Sequence, residues 1–211
     1  MKQNPYAPSF DDLPNVLPIF PLTGVLLLPH GELPLNLFEP RYLEMFDAAL
    51  ASNRLIGMIQ RDERGKIYQA GCVGKIINFT QTSDGRYEII LSGICRFHVE
   101  QELKTTTSYR QIAPNWKNFN TDLDPASKLD INREKLLKLL DIYFQSEQIG
   151  CDWKKIQEAS DARLINCLSM ICPFNAQEKQ ALLEAKCHKT RADLLMTLLE
   201  IVSHGEERGQ A

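Results

Sequence analysis

An α+β fold is predicted, a barrel-like sheet carrying one helix and followed by a helical bundle, and three observations predict it. Short apolar runs broken by Pro and Gly fill the first half of the chain, the pattern of short strands with irregular corners. Apolar stripes at helical spacing fill the second half. Between them Pro114 to Pro125, rich in Asn and Asp, has loop chemistry. Strands first and helices second argue against an alternating, doubly wound nucleotide fold.

The first twelve residues, MKQNPYAPSFDD, are polar and without periodicity, and are expected to form a flexible arm over 1–12. Asn15 to Leu22, Val25 to Leu28 and Leu33 to Phe38 follow as candidate strands. Glu39-Pro40-Arg41 opens a helix, proline being pre-organised for a first-turn position, and Tyr42, Leu43, Met45, Phe46, Ala49 and Leu50 recur on one side of it. Leu55 to Gln60 reads as a strand. Val73 to Thr82 and Arg86 to Ser92 flank Ser83-Asp84-Gly85, whose Asp-Gly pair signals a hairpin. In the next run Cys95, Phe97 and Val99 alternate with Arg96, His98 and Glu100, which puts Arg96 and His98 on the wetter face. Tyr109 to Ala113 closes the strand half. Helices are then expected over Ser127 to Gln148, Asp161 to Ile171 (ended by Pro173), Ala176 to Ala185 and Thr190 to Ser203. The resulting division is a strand subdomain over 13–114, a linker over 115–126, a helical bundle over 127–204 and a tail over 205–211.

A chain of 211 residues can bury a sizeable core as one large domain or two small ones. Its 24 basic and 27 acidic residues give a formal net charge of -3, and they are spread along the sequence. No electrostatic footprint for a phosphate backbone or an anionic membrane results. The longest apolar stretch, Val16 to Leu28, is interrupted by Pro18, Pro21 and Gly24, whereas a membrane span needs about 20 continuous apolar residues. Charged and Pro-rich residues over positions 2–14 do not suit a secretory signal. A cytoplasmic protein is expected, and its cysteines, Cys72, Cys95, Cys151, Cys167, Cys172 and Cys187, are expected as reduced, mostly buried thiols.

Catalytic signatures are missing. Gly74-Lys75 resembles the end of a phosphate-cradling loop, but that motif would require glycine where Gln69 stands and Ser or Thr where Ile76 stands. Neither a G-x-S-x-G elbow nor an H-E-x-x-H pair occurs. Cys167, Cys172, Cys187 and His188 are spaced unlike any common zinc module, so neither metal nor cofactor is expected.

The run Leu17-Pro18-Ile19-Phe20-Pro21-Leu22, followed by Leu28-Pro29, Leu33-Pro34-Leu35 and Phe38-Glu39-Pro40-Arg41-Tyr42, resembles the opening signature of the Lon N-terminal domain family. The resemblance continues through Val73-Gly74-Lys75-Ile76, Asp84-Gly85-Arg86-Tyr87, Ser92-Gly93-Ile94-Cys95-Arg96-Phe97 and Glu178-Lys179-Gln180-Ala181-Leu182-Leu183-Glu184, so that it covers roughly Leu13 to Ser203. It implies a pseudouridine-synthase-and-archaeosine-transglycosylase-like (PUA-like) β-barrel followed by a helical bundle. It also implies binding rather than catalysis, since in full Lon proteases this region helps engage unfolded polypeptides, while the ATPase and the Ser/Lys protease reside in further domains for which 211 residues leave no room. The expected partner is an unfolded polypeptide or a partner protein, in an adaptor or holdase role; a homodimer is compatible with the sequence.

Six residues stand out as binding candidates: His30, Glu39, Arg41, Tyr42, Arg96 and His98. Glu39 and Arg41 flank the helix-starting Pro40 and could form a binding rim, although fixing the barrel-to-helix geometry is the simpler role. His98 beside Arg96 could hold an acidic group, with an ordinary surface pair as the simpler account. The alternative function is PUA-like binding of nucleic acid or modified bases through a local basic face of Lys75, Arg86, Arg96 and His98; the acidic overall balance disfavours it.

Overall fold

Pro18 and Pro21 confine the first apolar run to a short strand, β1 (Leu17–Pro21). The other strands are β2 (Glu32–Leu37), β3 (Leu55–Arg61), β4 (Ile67–Gln81), β5 (Tyr87–Leu103) and β6 (Gln111–Asn115), with helix α1 (Pro40–Leu50) between β2 and β3. The computed structural model describes residues 10–123, 129, 131–146 and 150–207, apart from the side chains of 11 and 202–207. Two compact units result, Met1–Pro125 and Ala126–Ala211. The arm expected over 1–12 falls mostly outside the described residues; its end, Phe10–Asp12, is a 3-10 turn.

The six strands form one sheet in the order β2-β5-β4-β3-β1-β6, with β5 also pairing β6. β1 runs parallel to β3, and every other pairing is antiparallel. The ladders therefore pass through β1, β3, β4, β5 and β6 and return to β1, while β2 attaches to the first half of β5. The apolar residues alternating inward from this ring, among them Leu17, Ile19, Val73, Cys95, Phe97 and Ile112, build the core with Trp116 and Phe119. The β4–β5 hairpin closes as expected at Ser83-Asp84-Gly85. Thr82 N–H donates to the Arg86 carbonyl, and Gly85 takes the left-handed φ of 83° that lets a three-residue loop match the strand twist.

Two expectations for this unit are corrected. Val25 to Leu28 is not a strand: Leu26, Leu27 and Leu28 are buried, but the segment packs as a loop onto β5 at Gly93, where an added Cβ would stand 2.1 Å from the Leu28 carbonyl oxygen. Bonds from His30 N–H to the Gly93 carbonyl and from Gly93 N–H to the Gly31 carbonyl fasten the loop there. The expected linker is also structured. Asn115 ends β6, and Lys117–Leu123 forms two 3-10 turns kinked at Phe119, with Phe119 and Asp122 buried against the sheet.

The second unit holds α2 (Arg133–Ser146), α3 (Trp153–Glu158), α4 (Asp161–Ile171), α5 (Ala176–Glu184) and α6 (His188–Glu207). α4 has the expected bounds. α2 starts at Arg133 rather than Ser127, because the Asn132 side chain accepts from Lys135 N–H and caps the helix there; 127, 128 and 147–149 lie outside the described residues. α3 was not anticipated, its six residues being too short for a periodic stripe. α6 continues past Ser203 to Glu207, three residues into the expected tail. Buried Arg191 ties three helices together, donating from Nε to the Leu182 carbonyl (2.9 Å) and from Nη1 to Asn166 Oδ1 (3.0 Å). Among the described residues no helix is long and apolar enough to cross a membrane.

Candidate functional site

Antiparallel register builds a three-stranded arm from β2, the start of β5 and the end of β4. Leu35, Ile89 and Phe79 stand side by side across it, as do Pro34, Ile90 and Asn78 in the next row. Alternation sends these two rows to opposite faces. On the first face Phe46 of α1 packs against Phe79 (centroids 5.5 Å apart) and Tyr87 (4.5 Å). A groove of about 460 Å³ crosses the arm, lined by residues of all three strands including Pro34, Asn36, Asn78, Phe79, Glu88 and Ile90. Three large apolar side chains remain in solvent here: Phe38 is 60% exposed, Ile77 50% and Phe79 44%. Ile77 is turned out by a bulge between Ile76 and Asn78, and the Arg86 guanidinium lies 5.8 Å from the Phe38 ring. β2 ends the strand order, so the outer edge of the arm carries no further strand among the described residues.

A second group forms at the start of α1. Arg41 donates from Nε and Nη2 to Glu39 Oε2, at 2.9 and 2.6 Å, and its guanidinium carbon lies 4.6 Å from the centre of the Tyr42 ring. Tyr42 is buried and packs against Phe20, with centroids 4.2 Å apart and the rings tilted by 52°. Burial raises its phenol above the ordinary range, an effect opposed by Arg41 and, more weakly, by Arg61 and Arg110. Arg110 makes a two-pronged pair with Glu102, at 2.6 and 2.7 Å, which lowers the Glu102 carboxyl below its ordinary value.

The third group corrects the expected wetter face. Arg96 is 2% exposed and points inward, with its guanidinium 4.4 Å from the Phe119 ring and paired to Asp122. His98 stacks on the same ring at 4.9 Å. Burial of Arg96 removes the central cation from the basic face envisaged for nucleic acid. His30 stands apart from all three groups, an exposed corner residue with φ 63° at the turn into β2.

The six candidates thus fall in two places plus a corner: Glu39, Arg41 and Tyr42 meet at the start of α1, Arg96 and His98 share the Phe119 ring, and His30 lies apart. Sequence reasoning missed Ile77, Phe79, Arg61, Arg110 and Asp122. Ile77 and Phe79 lie within the strand run Val73 to Thr82, and the bulge that exposes Ile77 has no local signature. The cysteines are all free. Cys72, Cys95 and Cys172 are buried, Cys151 and Cys167 are partly buried, and Cys187 is exposed in the connection just before α6.

The model of the ATP-dependent protease La (LON) substrate-binding domain matches residues 16–200. The chain belongs to the Lon substrate-binding domain family. Lon protease 2 of Myxococcus xanthus is 26% identical over 200 residues, covering 90% of this chain and 24% of that protein. Lon protease 2 of Bdellovibrio bacteriovorus is 30% identical over 141 residues, covering 62% and 17%. The chain therefore spans about a quarter or less of these curated Lon relatives, and the part that it matches is the substrate-binding region. Two solved structures share the fold: the Lon N-terminal domain protein from Xanthomonas campestris, with TM-score 0.63 and 21% identity over 86% of this chain and 97% of that one, and the N-terminal domain of a Mycobacterium avium complex Lon protease, with TM-score 0.63 and 18% identity over 88% and 98%.

Proposed function

We propose that this Lon-type domain is a non-catalytic, cytoplasmic polypeptide-binding module, acting as an adaptor or holdase, with the β2–β5–β4 arm as its contact surface. The observation that carries this reading is the exposure of Phe38, Ile77 and Phe79 together on that arm. Large apolar side chains left in solvent beside polar groups are a mark of an interaction site. An unfolded segment could bury its own apolar residues there, each large side chain contributing about 1.5–3 kcal/mol. The free edge of β2 could add main-chain bonding without demanding a sequence. The closed circuit of ladders supports regarding the strand unit as a PUA-like barrel, with β2 added as an extension that carries the contact surface. Glu39, Arg41 and Tyr42 lie at the foot of the arm, as its rim.

The test is fluorescence anisotropy with labelled casein, comparing the wild type with a Phe38→Ser/Phe79→Ser variant, and parallel casein digestion with and without ATP. Saturable binding that weakens about tenfold or more in the variant, at unchanged thermal midpoint, and no digestion are expected. Equal binding by both proteins, or turnover that survives repurification, would overturn the reading.

A further inference from the structure

We propose that Arg41, Arg61, Arg110 and the Tyr42 hydroxyl form a binding pocket for one compact oxyanion, a carboxylate or a phosphate group. The site goes beyond polypeptide binding by the arm and does not depend on it.

Strand pairing assembles the pocket. β1 runs beside β3, pairing Pro21 with Ile59, and beside β6, where Ile19 N–H donates to the Arg110 carbonyl at 3.0 Å. Arg61 at the end of β3 and Arg110 just before β6 are thereby brought to the end of β1, where the first turn of α1 supplies Arg41 and Tyr42. These four residues, with Ser108 and Tyr109, line a cavity of about 60 Å³. A cavity of this size admits a single carboxylate or phosphate group.

The donors and charges favour an anion. Guanidinium and ammonium groups donate without accepting, and a planar fork matches an oxyanion. Glu102 holds Arg110 from two sides, Glu39 holds Arg41, and Glu44 accepts from the Ser108 hydroxyl. Arg61 has no carboxylate partner among the described residues, so its donors are not taken up by an ion pair there. The second, independent observation is Tyr42. Tyr42 lines the cavity with its side chain 6% exposed, and its hydroxyl has no hydrogen-bond partner among the described residues. Arg41, Arg61 and Arg110 all act electrostatically on that phenol, against the opposing charge of Glu39. An oxyanion held between the guanidiniums would accept from that hydroxyl.

The test titrates the full chain with sodium phosphate and, separately, sodium acetate at constant ionic strength, following the arginine side-chain Nε–H resonances by NMR. A saturable shift with at least one anion is expected, its midpoint rising about tenfold or more in Arg61→Gln and roughly threefold to tenfold in Tyr42→Phe, which keeps the ring packing. Saturation by phosphate alone would identify a phosphate site; saturation by acetate would identify a carboxylate site. Non-saturating shifts with both anions, or an unchanged midpoint in both variants, would overturn the proposal. Repeating the anion titration on Phe38→Ser/Phe79→Ser separates the two readings. Saturation there alongside lost casein binding supports both, and saturation in a wild type that binds no casein sinks only the polypeptide reading.

Discussion

Asp122 closes on Arg96 across 26 residues of sequence, accepting from its Nε and Nη2 at 2.8 Å each and from its backbone N–H at 2.9 Å. Both side chains are buried, and the Phe119 ring covers the guanidinium. The contact joins the 3-10 segment Lys117–Leu123 to the middle of β5. Removing one member of a buried, hydrogen-bonded ion pair leaves the other charge in a low-dielectric site. Asp122→Ala is therefore expected to destabilise the strand unit by about 3–5 kcal/mol, read as a shift in its urea unfolding transition. A loss under about 1 kcal/mol would contradict the role given to this pair.

Gly93 sets how closely the loop from Val25 to Leu28 can approach the sheet. An added methyl would meet the Leu28 carbonyl oxygen at 2.1 Å and its carbon at 2.8 Å, and backbone cannot swing aside like the tip of a side chain. Gly93→Ala is expected to cost about 2–4 kcal/mol. Gly150→Ala, where nothing lies within 4 Å of the new methyl, should stay within about 0.5 kcal/mol. Equal thermal midpoints for the two variants would refute the close approach.

The thiols should separate by reactivity. Burial pushes Cys95 up to about 12, with Asp122 adding to the effect, and burial raises Cys72 well above its ordinary range. Cys187 is lowered instead, chiefly by its hydrogen bond with the Thr190 hydroxyl. Since the thiolate is the nucleophile, Ellman's reagent at about pH 8 should label Cys187 ahead of Cys72 and Cys95, which should react only on unfolding. A thiol whose folded pKa is raised contributes stability that is complete below its unfolded value, about 8.5, and is lost as pH rises through the folded one. Unfolding midpoints should therefore fall from about pH 9 upwards, and less steeply in Cys95→Ala. Fast labelling of Cys95 in the native protein would refute this assignment.

Local chemistry made several elements legible. Pro40 at the first turn and the spacing of Tyr42, Met45, Phe46 and Ala49 gave α1, Pro173 after Ile171 gave the end of α4, and Asp84-Gly85 gave the hairpin. The misplaced parts of the strand unit depend on distant partners. Alternation with Cys95 and Phe97 assigned Arg96 to solvent, but its carboxylate came from an Asn- and Asp-rich stretch that looked like a linker. The three leucines at 26–28 were correctly apolar, yet they dock on Gly93 instead of joining a ladder. For the candidate sites, Arg41 and Tyr42 were visible in the Phe38–Tyr42 signature. Arg61 and Arg110 were not, because they reach them only through the pairing of β1 with β3 and β6.

β5 borders β4 along most of its length, β2 over its first residues and β6 over its last. The β4–β5 loop closes over three residues, whereas the β1–β6 ladder must join Leu17 to Ile112. Closing a short loop loses less chain entropy than closing a long one. The hairpin therefore forms early and templates the strands on either side, and the β1–β6 seam closes late. A destabilising change at Gly85 acts on the speed at which the unit assembles, and one at Leu17 or Ile112 on the speed at which it comes apart.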